Sequence, residues 1–292
     1  VSRRRRRSVL EGRVAVVTGA GRGLGEAVAR ELADRGAKVA LVGLEESELA
    51  RVGAGLPATA ASRHWHVDVT DHVAMARVAA EVRERMGAVS VVVANAGVAE
   101  AGPFEGSDPE RWRRVIEVNL VGSAVTARAF LPQLLATHGH YLQIASLASV
   151  GATPLMTAYC ASKAGVEAFC HALRAEVRTR GVGVGVGYPN WIDTDMIRDA
   201  GRSSALAALK AELPAPARRV QAPDQVARRL VSAVERRASS VYVPRWLRPA
   251  QVVRAALPGL VTRVLGPDLS RAGHPETGLL GAGGRATPPP GQ

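Results

Sequence analysis

Apolar and polar residues follow one another along this chain in two rhythms. Short, nearly continuous β-branched runs occur at residues 13–19 (RVAVVTG), 38–43 (KVALVG), 64–69 (HWHVDV), 89–97 (VSVVVANAG), 140–146 (HYLQIAS), 182–189 (VGVGVGYP) and 240–244 (SVYVP). Longer amphipathic stretches separate them at 24–35, 71–86, 109–136, 157–180 and 223–237. Asp71 after Thr70, Asp108 before Pro109, and Pro223-Asp224 are suitable helix openings. Strands apolar throughout and divided by helices predict a parallel sheet covered on both faces. Seven of them predict a doubly wound α/β fold, with its ligand crevice beyond the carboxyl ends of the strands.

After Pro244 the pattern changes. Residues 245–265 mix Arg245, Arg248, Arg254 and Arg263 with Trp246, Leu247, Val252, Val253, Leu257, Leu260, Val261 and Leu265, broken by Pro249 and Pro258. Such a basic amphipathic piece packs on its own domain or a sister subunit, or lies on an anionic membrane surface. Gly and Pro dominate 267–292, which is expected to be disordered. The organisation expected is therefore a basic tail at 1–11, one domain at 12–244, a basic amphipathic segment at 245–266 and a disordered end.

Composition alters this little. A hydrophobic content of 47% and a charged content of 22% are those of a soluble globular protein. Cys160 and Cys170 suggest a reducing compartment, hence a cytoplasmic setting, and no apolar run is long enough to cross a bilayer. The net charge of +12 is concentrated in the opening VSRRRRRS, which reads as a solvated tail or as a contact for anionic lipid or nucleic acid. No aromatic-interleaved basic motif points to specific nucleic-acid recognition.

Chemistry enters with TGAGRGLG, between the first strand and the first helix. Phosphate oxygens need a turn without a Cβ in the way, then a helix N-terminus offering free N–H groups. Gly19, Gly23 and Gly25 supply that in a G-x-x-x-G-x-G spacing, with Gly21, Arg22 and Leu24 between them. Asn95, Ala96 and Gly97 end the fourth strand, Asp68 and Val69 sit in VDVTD, and Asn119 in IEVNLVG. Ser146 lies 13 residues before Tyr159, and Lys163 one helical turn after it. In these motifs, over roughly residues 12–244, the chain resembles the short-chain dehydrogenase/reductase family.

That resemblance implies a Rossmann-type sheet of strand order 3-2-1-4-5-6-7, a nicotinamide cofactor, and hydride transfer to or from an alcohol or ketone. The glycine loop would hold the pyrophosphate, Asp68 and Val69 the adenine side, and Asn95, Ala96 and Gly97 the next strand end. Ser146 would hydrogen-bond the substrate oxygen, Tyr159 would move the proton, and Lys163 would hold the nicotinamide ribose. Asn119 would anchor a water passing the proton on through Lys163. Residues four apart on a helix are neighbours, so Lys163 is expected to pull the Tyr159 phenol down from its usual pKa near 10. A lone Tyr/Lys pair at this spacing is most often helix surface; its companions make it a site.

Two places depart from the family pattern. Gly43 stands where an NAD-preferring member ends its second strand with an acidic residue, Leu44 stands at the usual NADP-type arginine, and Glu45 comes later in register. Arg22 would meet a 2′-phosphate, as in some NADP-dependent members, which favours NADP(H) over NAD(H), or it is a solvated loop arginine. After the sixth strand Pro189 is retained, but Asn190 replaces glycine and Trp191 follows. Asn190 is expected to preserve the turn by tolerating positive φ. By resemblance, Ile192 and Thr194 would bind the carboxamide, while Trp191 walls the substrate pocket or packs under a lid at 195–222. That lid is small and apolar and favours a lipophilic alcohol or ketone. The His-x-His pairs at 64–66 and 138–140 are expected at strand beginnings, about 19 Å apart at ~4.8 Å per strand, too far for one metal ion. Family members pair through the helices at 109–136 and 157–180, so a homodimer or homotetramer is expected. The competing functions are a cofactor-binding sensor without turnover and a peripheral membrane or nucleic-acid binder.

Overall fold

In a computed structural model, which describes residues 8–151, 153–200, 210, 218–259 and 278–280, the chain is a three-layer α/β domain. Its main elements are β1 (Val14–Thr18), α1 (Gly23–Asp34), β2 (Lys38–Gly43), α2 (Glu46–Ala54), β3 (Ser62–His66), α3 (His72–Met86), β4 (Val89–Ala94) and β5 (Ala99–Ala101). There follow α4 (Pro109–Ile116), α5 (Gly122–Ala136), β6 (His140–Ile144), α6 (Thr157–Val177), β7 (Gly183–Pro189) and α7 (Asp195–Ala200). The last are α8 (Pro223–Glu235), β8 (Ser240–Val243), α9 (Leu247–Val252) and β9 (Gly278–Leu280).

Seven strands form the sheet in the order β3-β2-β1-β4-β6-β7-β8, and each adjacent pair is parallel. Skipping the short β5, this is the order the resemblance implies. Successive side chains of a strand point to opposite faces, so one strand feeds two cores. Val14 and Val16 of β1 pack with Met75, Val82, Phe130, Leu134, Val166 and Cys170 from α3, α5 and α6. Ala15 and Val17 pack with Val28, Leu32, Leu49, Val52, Val226 and Leu230 from α1, α2 and α8. Both faces being covered explains why the strands read as unbroken apolar runs rather than as alternating ones.

Several sequence expectations need correction. β3 ends at His66, because Asp68 accepts the N–H and hydroxyl of Thr70 (2.9 and 2.8 Å) and turns the chain away. The pair His64/His66 therefore ends β3 instead of beginning it. The helix 109–136 runs unbroken but contains a π turn at Glu117–Val121. By length and mean hydropathy it is the one helix among the described residues that reaches membrane-span values. Its apolarity serves the core: Val115, Val118, Phe130 and Leu134 are buried.

The two ends of the domain also differ from expectation. Residues 8–11, assigned to the basic tail, are docked: Leu10 is buried and the Ser8 hydroxyl donates to Glu235 at 2.6 Å. Residues 1–7 lie outside the described residues. The segment after Pro244 packs on its own domain through buried Leu247, with Gln251 and Arg254 bonded to the Glu167 carboxylate at 2.6 and 3.1 Å. Within the expected disordered end, Gly278–Leu280 forms a strand antiparallel to β5. Most of the expected lid, and residues 260–277 and 281–292, fall outside the described residues.

Candidate active site

The cleft opens at the carboxyl ends of β1, β4, β6 and β7. Thr18 ties the first two ends together: its hydroxyl oxygen accepts from Asn95 N and Ala96 N at 3.0 and 3.1 Å. The Asn95 amide donates to Thr18 O at 3.1 Å and Gly19 O at 3.3 Å. Gly19 has φ +64°, and a Cβ there would stand 2.9 Å from Ala96 Cα. A Cβ on Gly25 would collide with the Gly19 carbonyl. These two glycines let the loop fold back against its own helix. No side chain caps α1, and its first residues Gly23, Leu24 and Gly25 line the cleft, the arrangement that suits a pyrophosphate.

Around this cradle the cleft is lined by Gly23, Leu24, Asp68, Val69, Gly97, Ser146, Tyr159, Lys163, Pro189, Ile192 and Thr194, together with Gly19, Arg22, Gly25, Asn95 and Ala96. Almost every expected cofactor contact is thus brought to one cavity. Gly21 and Trp191 are not on it. Gly21 approaches Glu48, and the Trp191 ring turns to Lys210, whose Nζ lies 5.4 Å from its centroid. Asn190 reaches its turn with no positive φ; its N–H donates to Val243 O at 2.9 Å, so the conformational freedom expected of it is not used.

Ser146 follows β6 and begins a 3₁₀ turn, its hydroxyl accepting from Ala148 N at 3.1 Å. Tyr159 and Ser146 line the same cleft. Lys163 is buried, donates to Ile144 O at 3.1 Å, and lies 5.5 Å from the Tyr159 ring centroid. Burial pushes the Tyr159 phenol up to about 12, against the pull of Ser146, and pushes Lys163 down to about 8. The expected lowering of Tyr159 by Lys163 is therefore not what this geometry produces. The ammonium donates to the Ile144 carbonyl, and a buried site opposes charge on both groups.

Asn119 sits inside the π turn, fully buried. Its side-chain oxygen accepts from Val98 N at 2.8 Å, while its amide donates to Val98 O and Ser162 Oγ, each at 2.9 Å. A Cβ on Gly97 would stand 3.0 Å from that oxygen and 3.5 Å from Lys163 Nζ, which explains the glycine.

Ion pairs border the cleft beyond the ends of β2 and β3. Arg22 pairs with Glu45, its Nε donating at 2.7 Å, and reaches Asp195 at 3.3 Å. Asp68 pairs with Arg114 at 2.5 Å; burial opposes its charge, but Thr70 and Arg114 hold its carboxyl below the usual range. Arg114, Val98, Asp195, Met196 and Ile197 line the cleft without having been singled out in the sequence. Arg114 shows no local signal, because it acts across 46 positions of chain. No group of three or more His, Cys, Asp or Glu side chains suited to a metal occurs among the described residues.

A family model described as short chain dehydrogenase matches residues 13–205. The meso-2,3-butanediol dehydrogenase of Serratia marcescens is 34% identical over 186 residues, 64% of this chain and 74% of that protein. The 3-oxoacyl-(acyl-carrier-protein) reductase FabG of Escherichia coli (strain K12) is 34% identical over 206 residues, 70% of this chain and 83% of that protein. Among solved structures, a metagenomic short-chain oxidoreductase in complex with NADP superposes with a TM-score of 0.66 at 30% identity, covering 80% of this chain and 97% of that one.

Proposed function

The chain belongs to the short-chain dehydrogenase family, and from that premise we propose that Ser146, Tyr159 and Lys163 interconvert an apolar secondary alcohol and its ketone. The family membership and its relatives make it an NAD(P)-dependent oxidoreductase acting on a CH–OH group or ketone. The observation that carries the residue assignment is that Ser146, Tyr159 and Lys163 line one glycine-cradled cleft, with Lys163 Nζ 5.5 Å from the Tyr159 ring centroid.

The cradle at Gly19 and Gly25 and the uncapped start of α1 fit a dinucleotide, and the nicotinamide supplies the hydride when bound. The protein's part is to position and to handle the proton. Ser146 donates to the substrate oxygen, polarising a carbonyl or steadying an alkoxide. Tyr159, held protonated at neutral pH, gives its proton to that oxygen in the reductive direction. Lys163 orients the ribose hydroxyls in this reading, and its pKa of about 8 lets it exchange a proton near neutral pH. Asn119 fixes the Gly97–Val98 loop against α6; a water relay is left to its carbonyl, which already accepts from Ser123 Oγ at 2.6 Å.

NADP(H) is the preferred cofactor in this reading. No carboxylate stands at Gly43, and Arg22 is on the cleft. The apolar cleft residues Val98, Met196 and Ile197 support a lipophilic substrate. A homodimer or homotetramer pairing through helix Pro109–Ala136 and α6 belongs to the same proposal; Val121, 45% exposed on that helix, supports it. Purified protein is to be assayed against a panel of apolar ketones with NADPH and NADH. Consumption of NADPH by at least one ketone, lost in Tyr159→Phe, is expected; activity unchanged in that variant contradicts the assignment.

A further inference from the structure

The strand formed by Gly278–Leu280 leads back to the catalytic tyrosine, and we propose that it is a substrate-selecting wall in which Leu280 limits the size of the group the pocket accepts. This rests on the oxidoreductase reading above and names which part of the chain tunes it.

In the antiparallel pair, Ala99 lies opposite Leu280, Glu100 opposite Leu279, and Ala101 opposite Gly278. Side chains alternate faces along a strand, so Ala99, Ala101 and Leu280 share one face, and Glu100 and Leu279 share the other. Contacts agree with that alternation. Ala99, Ala101 and Met156 form a small apolar cluster against which Tyr159, Met196 and Leu280 pack. Leu279 packs instead on the main core.

The cluster shares two residues with the cleft, Tyr159 and Met196. Leu280 therefore packs on the same small cluster as Tyr159 and Met196, two residues that line the cleft, without itself being one of the lining residues. A substrate whose carbonyl meets Tyr159 and Ser146 must place one substituent toward this cluster. The three other positions near the strand pair are small: Ala99, Ala101 and Gly278. On that face Leu280 is the one bulky side chain the pair contributes, which makes its size the limiting one. Gly102 N donates to Leu155 O at 2.8 Å, which anchors β5 to the segment entering α6 and keeps the wall in place.

The test uses the full chain with NADPH and two ketones, a small one (butan-2-one) and a bulky aryl alkyl ketone, in the wild type and three variants. Leu280→Ala is expected to raise the bulky-to-small ratio of kcat/KM about tenfold, since a methylene or two of pocket space is worth roughly that much. Leu280→Phe is expected to lower the same ratio. Leu279→Ala, on the opposite face of the strand, is expected to leave it within about twofold. NADPH binding, followed by nucleotide fluorescence, should match the wild type in all three. An unchanged ratio in both Leu280 variants, an equal change in Leu279→Ala, or loss of NADPH binding on Leu280→Ala overturns the wall while leaving the oxidoreductase reading standing. A wild type that turns over neither these nor any other apolar ketone overturns that reading, and the wall with it.

Discussion

Burial governs the chemistry of single residues here. Tyr159 and Lys163 were legible from their spacing, but the direction of the tyrosine shift was not, because sequence spacing gives proximity and says nothing of how much water reaches either group. The consequence for stability can be worked out in sign. Lys163 loses its proton near pH 8 when folded and near 10.5 when unfolded, so its burial penalises the fold fully below pH 8 and progressively less above it. Tyr159 and Cys170, both pushed up to about 12, act oppositely at higher pH. In nucleotide-free protein, Lys163→Met should therefore flatten or reverse any rise in the urea midpoint between pH 8 and 10; an unaltered slope refutes the buried-ammonium account. Arg22 is a second case. Its partners Glu45 and Asp195 lie 23 and 173 positions away, out of reach of local pattern. Charge-assisted hydrogen bonds to a 2′-phosphate predict that Arg22→Ala raises the KM for NADPH by about 10–100-fold and leaves NADH nearly unchanged, as steady-state kinetics would show.

At the scale of elements, periodic signals predicted the long pieces and missed the short ones. The seven strands and the helices at 71–86, 157–180 and 223–237 came through, because each has a repeating apolar face to bury. α2 has only Leu49 and Val52 to bury, and β5 and β9 are three residues each, too short for any period to register. The π turn around Asn119 is likewise silent in sequence, since a single widened turn does not interrupt the apolar stripe. The glycine loop was legible because its requirement is steric, and the same sterics make a prediction. A Cβ at Gly25 collides with backbone that cannot yield cheaply. Gly25→Ala should cost about 1–3 kcal/mol or more in chemical denaturation and weaken NADPH binding at least about tenfold by titration calorimetry. Wild-type affinity in that variant contradicts the cradle.

For the molecule as a whole, the sheet order and the side of the sheet that carries the cleft followed from strands buried on both faces and from the resemblance. What the chain does beyond its sheet did not follow. The C-terminal β9 returns to β5 across most of the sequence, and no local composition encodes a pairing over that distance. The same holds for the docking of Ser8 on Glu235, 227 positions apart. Yet the parts fit one purpose: strand ends supply Ser146 and the Gly97 loop, a long helix supplies Tyr159 and Lys163, and the glycine loop faces them across the cleft. Ketone-dependent oxidation of NADPH by the intact chain, compared with Tyr159→Phe, tests that unity most directly. The account predicts turnover that falls about 10²–10⁴-fold in the variant while NADPH binding is retained. Equal turnover in both proteins, or none in the wild type with any apolar ketone, would contradict it.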